Sequence, residues 1–354
     1  MKNLFEIIRR EAGDGALRFD RFMQLALYAP GCGYYETEKN NIGRGGDFYT
    51  SVSTGGLFGE LLAFQFAAWL AESQASNFKP QIAEAGAHDG KLARDILNWL
   101  QSNRPQLFGQ TEYCIIEPSA RRQEWQRETL KPFSPRVRWF TQFNDSIQKF
   151  NGVIFANELL DAMPVRRHGW DARNKKWFDW GVAVDGEKFV WAKIPGSEFR
   201  VPNSGLEPVL PDNYTVETSP AAGNWWREAA RILGRGKLLT IDYGLTADEL
   251  FSPARTNGTL RAYFRHHVAD DILANVGEQD LTAHVNFSAI QKAGEEAGLK
   301  TEMFCTQTKF LTRILEKTLR EKSFEWNAGR VRQFQTLTHP EHLGRAFRVL
   351  VQAR

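Results

Sequence analysis

The chain has 354 residues, of which 42% are hydrophobic and 25% charged, and 45 Lys and Arg against 42 Asp and Glu leave a formal charge of +3. That much apolar content excludes disorder as the main state, and so small an imbalance argues against a dedicated nucleic-acid binder. No apolar run approaches the ~18 residues of a membrane-spanning helix. At roughly 150 residues per domain, one large elaborated domain or two smaller ones are expected. Glu6 and Glu11 interrupt the opening MKNLFEIIRREAGDG, which therefore reads as neither a signal nor a transit peptide. Cys32, Cys114 and Cys305 form no CxxC pair, so a reducing cytoplasm is the expected location, and the lack of a targeting segment makes a bacterial one the expectation.

In chain order, residues 1–75 read as a helical N-terminal extension with a glycine-rich loop, GRGGDFYTS, at 43–51. Phe58, Leu61, Leu62, Phe66, Trp69 and Leu70 follow helical spacing and predict an amphipathic helix. From residue 76 to 354 the pattern is one α/β domain in which apolar strands alternate with helices. Strands are expected at Gln81–Ala85, 113–117, 152–157 and 237–244. A helix capped by Ser119 should run over 119–130. Residues 287–304 should form a helix, a stop at Gly298 and a further strand, and 345–353 a strand that closes the sheet. Two insertions break the alternation: a β-rich aromatic arm at about 165–215, and a loop-rich segment at about 250–285. Both leave the sheet on the edge where open α/β sheets bind ligands.

Chemistry concentrates at the strand ends. The first strand runs into Glu84-x-Gly86-x-x-x-Gly90, where glycines let the backbone turn tightly and approach a ligand. Glu117, ending the next strand, can accept hydrogen bonds from both hydroxyls of a ribose. A dinucleotide fingerprint would need a glycine where His88 stands, and Asp89 at the helix start would repel a pyrophosphate. S-adenosyl-L-methionine carries no phosphate but has a sulfonium, an ammonium and one carboxylate, and Glu84 suits the ammonium. The acid-then-glycine order therefore favours a methyltransferase over a dehydrogenase. Plain turn, capping and strand-end roles remain the bland alternatives for His88, Asp89 and Glu117. The third strand runs into Asn157-Glu158-Leu-Leu-Asp161-Ala-Met-Pro-Val165. If the chain turns helical after Asn157, Glu158 and Asp161 share a face and can grip a guanidinium. The bland alternative is a capping cluster before a proline stop.

Long motifs support the methyltransferase reading: ALYAPGCGYY (26–35), IGRGGDFYTSVSTGGLFGELL (42–62), EAGAHDGKLARDIL (84–97), IIEPSARRQEWQ (115–126), NELLDAMPV (157–165), IDYG (241–244), GTLRAYFRHH (258–267) and DLTAHVNF (280–287). With these the chain resembles the MidA family of S-adenosyl-L-methionine-dependent methyltransferases, whose mitochondrial members act as respiratory complex I assembly factors. The resemblance implies a Rossmann-like class I fold, with a seven-stranded, mostly parallel sheet, a helical N-terminal extension and inserted substrate-side segments. It implies cofactor contacts from Glu84, Gly86, Gly90, Glu117 and Asn157. It also implies a loop of Gly46, Asp47, Phe48, Thr50 and Ser51 closing on the cofactor side. Glu158 and Asp161 would act on the arginine side chain of a partner protein. The family's cofactor turn usually reads ELGPGRG where this chain has EAGAHDG, so a Cβ at His88 is expected near the methionine moiety.

The leading expectation is protein-arginine methyl transfer. Two alternatives stand beside it, a cofactor-binding assembly protein with little turnover and a small-molecule methyltransferase. His266, His267 and His284 are candidate rim contacts or ordinary structural histidines. No metal is expected, because His339-Pro340-Glu341-His342 lacks HExxH spacing, and the absence of a GxSxG elbow removes that hydrolase class.

Overall fold

A computed structural model describes residues 4–37, 50–73, 79–143, 149–201, 207–265, 267–321, 324–341 and 343–354. The central sheet contains β1 (Gln81–Ala85), β2 (Glu112–Ile116), β3 (Val137–Phe140), β4 (Phe150–Asn157), β5 (Leu233–Leu245), β6 (Lys300–Thr306) and β7 (Phe347–Ala353). Their spatial order is β3-β2-β1-β4-β5-β7-β6, and a two-residue strand, Val285–Asn286, adds to the tip of β5. The pairs from β3 through β5 are parallel, whereas β7 runs antiparallel to both β5 and β6. This is the Rossmann-like class I methyltransferase fold.

Strand pleating sorts the apolar residues onto two faces. Ile82, Tyr113, Ile115, Val153, Phe155, Leu239 and Val349 pack on one side, with α1 (Leu57–Ser73), α2 (Lys91–Asn103) and the helix Gln307–Thr318. Ala83, Cys114, Ile154, Leu238 and Leu350 pack on the other, with the helices Pro220–Ile232 and Phe287–Glu296. Being covered on both faces is why these strands read as near-continuous apolar runs. Helix α1 corrects the amphipathic expectation. Leu57, Phe58, Leu61, Leu62, Ala63, Phe64, Phe66, Ala67 and Leu70 are all buried, because the helix lies between the sheet and neighbouring helices.

A second sheet is antiparallel. Lys176–Asp185 pairs with Leu17–Arg18, Arg166–Asp171 and Lys188–Pro195, and Thr215–Thr218 joins through Arg166–Asp171. A small three-stranded sheet, Arg261–Phe264, His267–Ala269 and Asp280–Thr282, lies in the later insertion. Leu4, Ile8, Phe22 and Leu27 of the N-terminal helices share one core with Val182 of the arm and with Leu260 and Leu281 of that insertion. Segments far apart in sequence thus build a single layer above the strand tips.

The chain leaves β1 for β2 on one side, while β4 pairs with its other side, so a crevice opens at the carboxyl ends of β1 and β4. Close strand approach below that crevice depends on glycine. Gly152 has φ +148, and a Cβ there would sit 1.9 Å from the Gln81 carbonyl oxygen of β1. Gly152→Ala is expected to cost at least about 2 kcal/mol of stability, from strain and strand separation. Thermal denaturation with and without cofactor should show a lower Tm in both; an unchanged Tm would contradict this packing.

Candidate functional site

The turn after β1 requires two glycines. Gly86 has φ +72, and a Cβ on it would lie 2.8 Å from Leu159 Cδ1; Gly90 has φ +82 and abuts Gln126 and Leu130. Gly86 stands in the wall of the crevice, whereas Gly90 caps α2 at its start. His88 is also left-handed, at φ +45, a conformation histidine tolerates better than most non-glycine residues.

Asp89 and Lys91 close the helix start. The Asp89 carboxylate accepts the Lys91 N–H at 3.2 Å and pairs with the Lys91 ammonium at 2.7 Å. Burial raises its pKa, but hydrogen bonds from His88 and Lys91 outweigh that and hold it well below the usual carboxylate range. A fixed negative charge therefore occupies the position where a dinucleotide fold receives its pyrophosphate.

Two hollows meet at Gly86. One, of about 100 Å³, is lined by Thr50, Val52, Ser53, Glu84, Gly86, His88, Asp89, Asn157 and Glu158. The other is a larger groove of about 770 Å³, whose walls include Tyr28, Gly31, Glu36, Gly86, Ile116, Glu117, Arg122, Thr141, Phe143, Leu159, Met163 and Trp225.

In the smaller hollow Glu84 is buried, and the Tyr113 hydroxyl donates to it at 2.6 Å. Burial pushes its pKa up to about 8, so an arriving cation would draw the proton off. Asn157 Oδ1 is buried without a hydrogen-bond partner in the same wall, an acceptor waiting for a donor. Glu158 Oε1 accepts the Ser51 N–H and the Asn157 Nδ2–H, both at 3.1 Å. Burial raises this carboxyl too, to about 8.

In the larger groove Glu117 accepts the Ser119 N–H at 3.0 Å and the Gln126 amide at 3.1 Å, leaving further lone pairs open. Burial raises its pKa, while Arg122, with a nitrogen 3.9 Å away, opposes the rise. Gln126 also donates to the His88 carbonyl at 3.1 Å, so one amide ties the glycine turn to the Glu117 carboxylate. The N-terminal segment borders this groove. Arg121 donates to the Glu36 carbonyl at 2.6 Å, and Arg122 Nε to the Tyr35 carbonyl at 3.2 Å.

The structure brings Glu84, Gly86, Glu117, Asn157, Glu158 and Thr50 to this crevice, with Ser51 behind Glu158. Gly46, Asp47 and Phe48 lie outside the described residues, as does His266. Asp161 corrects an expectation. No helix follows Asn157; the chain turns, Glu158 adopts φ +51, and the shared helical face never forms. Asp161 turns instead toward Asp242 and Asp280. His284 lines a separate hollow with Leu160 and Ser219, and His267 is exposed.

Sequence reasoning missed Tyr113, Gln126 and Asp242. Tyr113 was findable, since it alternates with Ile115 and so faces the same side as Glu84 on the neighbouring strand. Among the described residues no helix is long and apolar enough to cross a membrane, and no cluster of three His, Cys, Asp or Glu side chains could hold a metal.

Comparison with known proteins identifies the family. The model of the Methyltransf_28 family of S-adenosyl-L-methionine-dependent methyltransferases matches residues 61–305. A crystal structure of a Burkholderia thailandensis protein bound to S-adenosyl-homocysteine is 33% identical, with a TM-score of 0.86 over 99% of this chain and 92% of that one. The mitochondrial protein arginine methyltransferase NDUFAF7 of Danio rerio is 26% identical, covering 94% of this chain and 82% of the relative. Its Homo sapiens counterpart is 27% identical, covering 94% and 79%. The chain thus belongs to this family of S-adenosyl-L-methionine-dependent methyltransferases, the MidA type whose motifs its sequence carries.

Proposed function

We propose that the enzyme methylates a guanidino nitrogen of an arginine side chain on a partner protein. The observation that carries this reading is Glu158, a half-buried carboxyl in the crevice wall beside the cofactor turn, aimed by Ser51 and Asn157. The names of the NDUFAF7 relatives point the same way.

The donor set fits the cofactor. Glu117 would hold the ribose hydroxyls, with Ile116 and Phe143 beside the base. Glu84 and the unpaired Asn157 Oδ1 would hold the ammonium. S-adenosyl-L-methionine supplies an electrophilic methyl group on a sulfonium, a reaction in which positioning and electrostatics dominate. A guanidinium remains protonated at neutral pH, so it enters as a cation. Glu158 ionises as that cation arrives, orients the attacking nitrogen and accepts the proton this nitrogen sheds on gaining the methyl group.

Transfer from labelled cofactor to arginine-containing peptides, with the same peptides carrying lysine in place of arginine as control, tests the reading. Equal labelling of both sets would overturn it. Glu158→Gln should lower kcat by about 100-fold or more while cofactor binding persists. Without ligands Glu158 is raised to about 8, and a bound sulfonium would pull that value down, so kcat/KM should climb with pH and flatten by about pH 8.

The same shift has a stability consequence. The folded-state pKa lies above the unfolded one, so the contribution from Glu158 is complete below about 4.5 and is lost as pH rises towards 8. Glu158→Gln should therefore gain on the wild type as pH rises across that window, which thermal denaturation at several pH values measures. Glu117→Ala should weaken cofactor binding about 10- to 100-fold by calorimetry, through lost charged hydrogen bonds, and should also lower Tm, because the Ser119 N–H and the Gln126 amide lose an acceptor.

A further inference from the structure

Glu158 holds a left-handed backbone, φ +51, that a glutamate keeps only under constraint. The constraint comes from the neighbouring strand β5. The Glu158 N–H donates to the Ile241 carbonyl at 2.9 Å. The next two N–H groups, of Leu159 and Leu160, converge on one oxygen of Asp242 at 3.1 and 2.8 Å. The other Asp242 oxygen accepts the Tyr243 N–H at 2.8 Å. Asp242 is completely buried, which raises its pKa to about 7, while the three backbone donors oppose that rise and favour its carboxylate form. The Asp161 carboxyl lies beside it, and burial together with the Asp242 and Asp280 carboxylates raises the Asp161 pKa well above the usual range, against the Ala162 N–H that lowers it. Two buried carboxyls in contact cannot both be charged, so the proton stays on Asp161, the partner with fewer donors.

We propose that Asp242 is the positioning residue of this site: by gathering the Leu159 and Leu160 N–H groups it fixes the turn after Asn157 and so aims Glu158 at the acceptor. The proposal rests on the reading of Glu158 given above. Asp161 then acts as the hydrogen-bond donor to Asp242 and as a fastener, because its carbonyl accepts the Ala283 N–H at 2.9 Å from the later insertion. It does not face the acceptor as a second carboxylate.

The test compares Asp242→Asn, Asp161→Ala and Asp161→Asn with Glu158→Gln, using labelled S-adenosyl-L-methionine and the arginine-containing peptides. An amide at 242 cannot accept all three N–H groups. Asp242→Asn should therefore lower kcat about 100-fold while KM and the calorimetric cofactor affinity stay near wild type. Asp161→Ala should lower kcat about 10-fold. Asp161→Asn, which still donates to Asp242, should restore most of that loss. Wild-type kcat in Asp242→Asn would overturn the proposal, as would Asp161→Asn falling as far as Glu158→Gln. Should Asp242→Asn fail to fold, the Asp161 pair decides alone.

If the wild type labels no arginine peptide, the functional reading fails, and the positioning role is read from a crystal structure of Asp242→Asn. Glu158 should then have left the left-handed region and lost the Ser51 N–H; an unchanged Glu158 overturns the proposal.

Discussion

Every parallel strand around the crevice from β2 to β5 delivers a carboxyl group at or near its tip, three of them buried and that of Glu158 half-buried. Glu84 comes from β1, Glu117 from the end of β2, Glu158 from the end of β4 and Asp242 from β5. Keeping a carboxylate from water is costly, so the protein compensates with a hydroxyl, an amide or backbone N–H groups at each site, and with a shared proton at the fourth. What remains is a crevice short of positive charge. A ligand that brings cations relieves that shortage, and this matches the ammonium and sulfonium of the family's cofactor. A phosphate-bearing ligand would meet Asp89 already seated at the start of α2.

The covering layer follows from the same geometry. The N-terminal helices, the aromatic arm and the later insertion share one apolar core, and that core sits over the strand tips. Tyr28 illustrates the coupling: it lines the large groove, and its hydroxyl donates to the Ala162 carbonyl at 2.9 Å, inside the loop that carries Glu158. Tyr28 also stacks on Tyr35, whose hydroxyl donates to Asp280 at 3.0 Å. Groove wall, Glu158 loop and later insertion are therefore joined through two stacked rings.

Much of the sheet was legible because its strands are short apolar runs ended by glycine, acid or asparagine. β1 runs over the residues that its pattern indicates, and Ser119 caps the following helix by accepting the Arg122 N–H. The helix Leu57–Ser73 was legible as a helix but not in its environment, since side-chain spacing does not tell which faces other elements will cover. The loop after Asn157 was misread for a related reason. Spacing alone permits a helical turn there, while the actual path is dictated by acceptors on β5, more than eighty residues away in sequence.

The sequence by itself determined the alternation of strands and helices, the glycine turn and the acids at the strand ends, because local backbone freedom and apolar periodicity are written residue by residue. Only the tertiary structure decided that Asp161 turns to Asp242 rather than to the crevice, and that Tyr113 and Gln126 serve Glu84 and Glu117. It alone joined the N-terminal helices to two distant insertions. Those outcomes depend on which strands become neighbours and on where buried charges find donors, and neither is encoded in the spacing of any single segment.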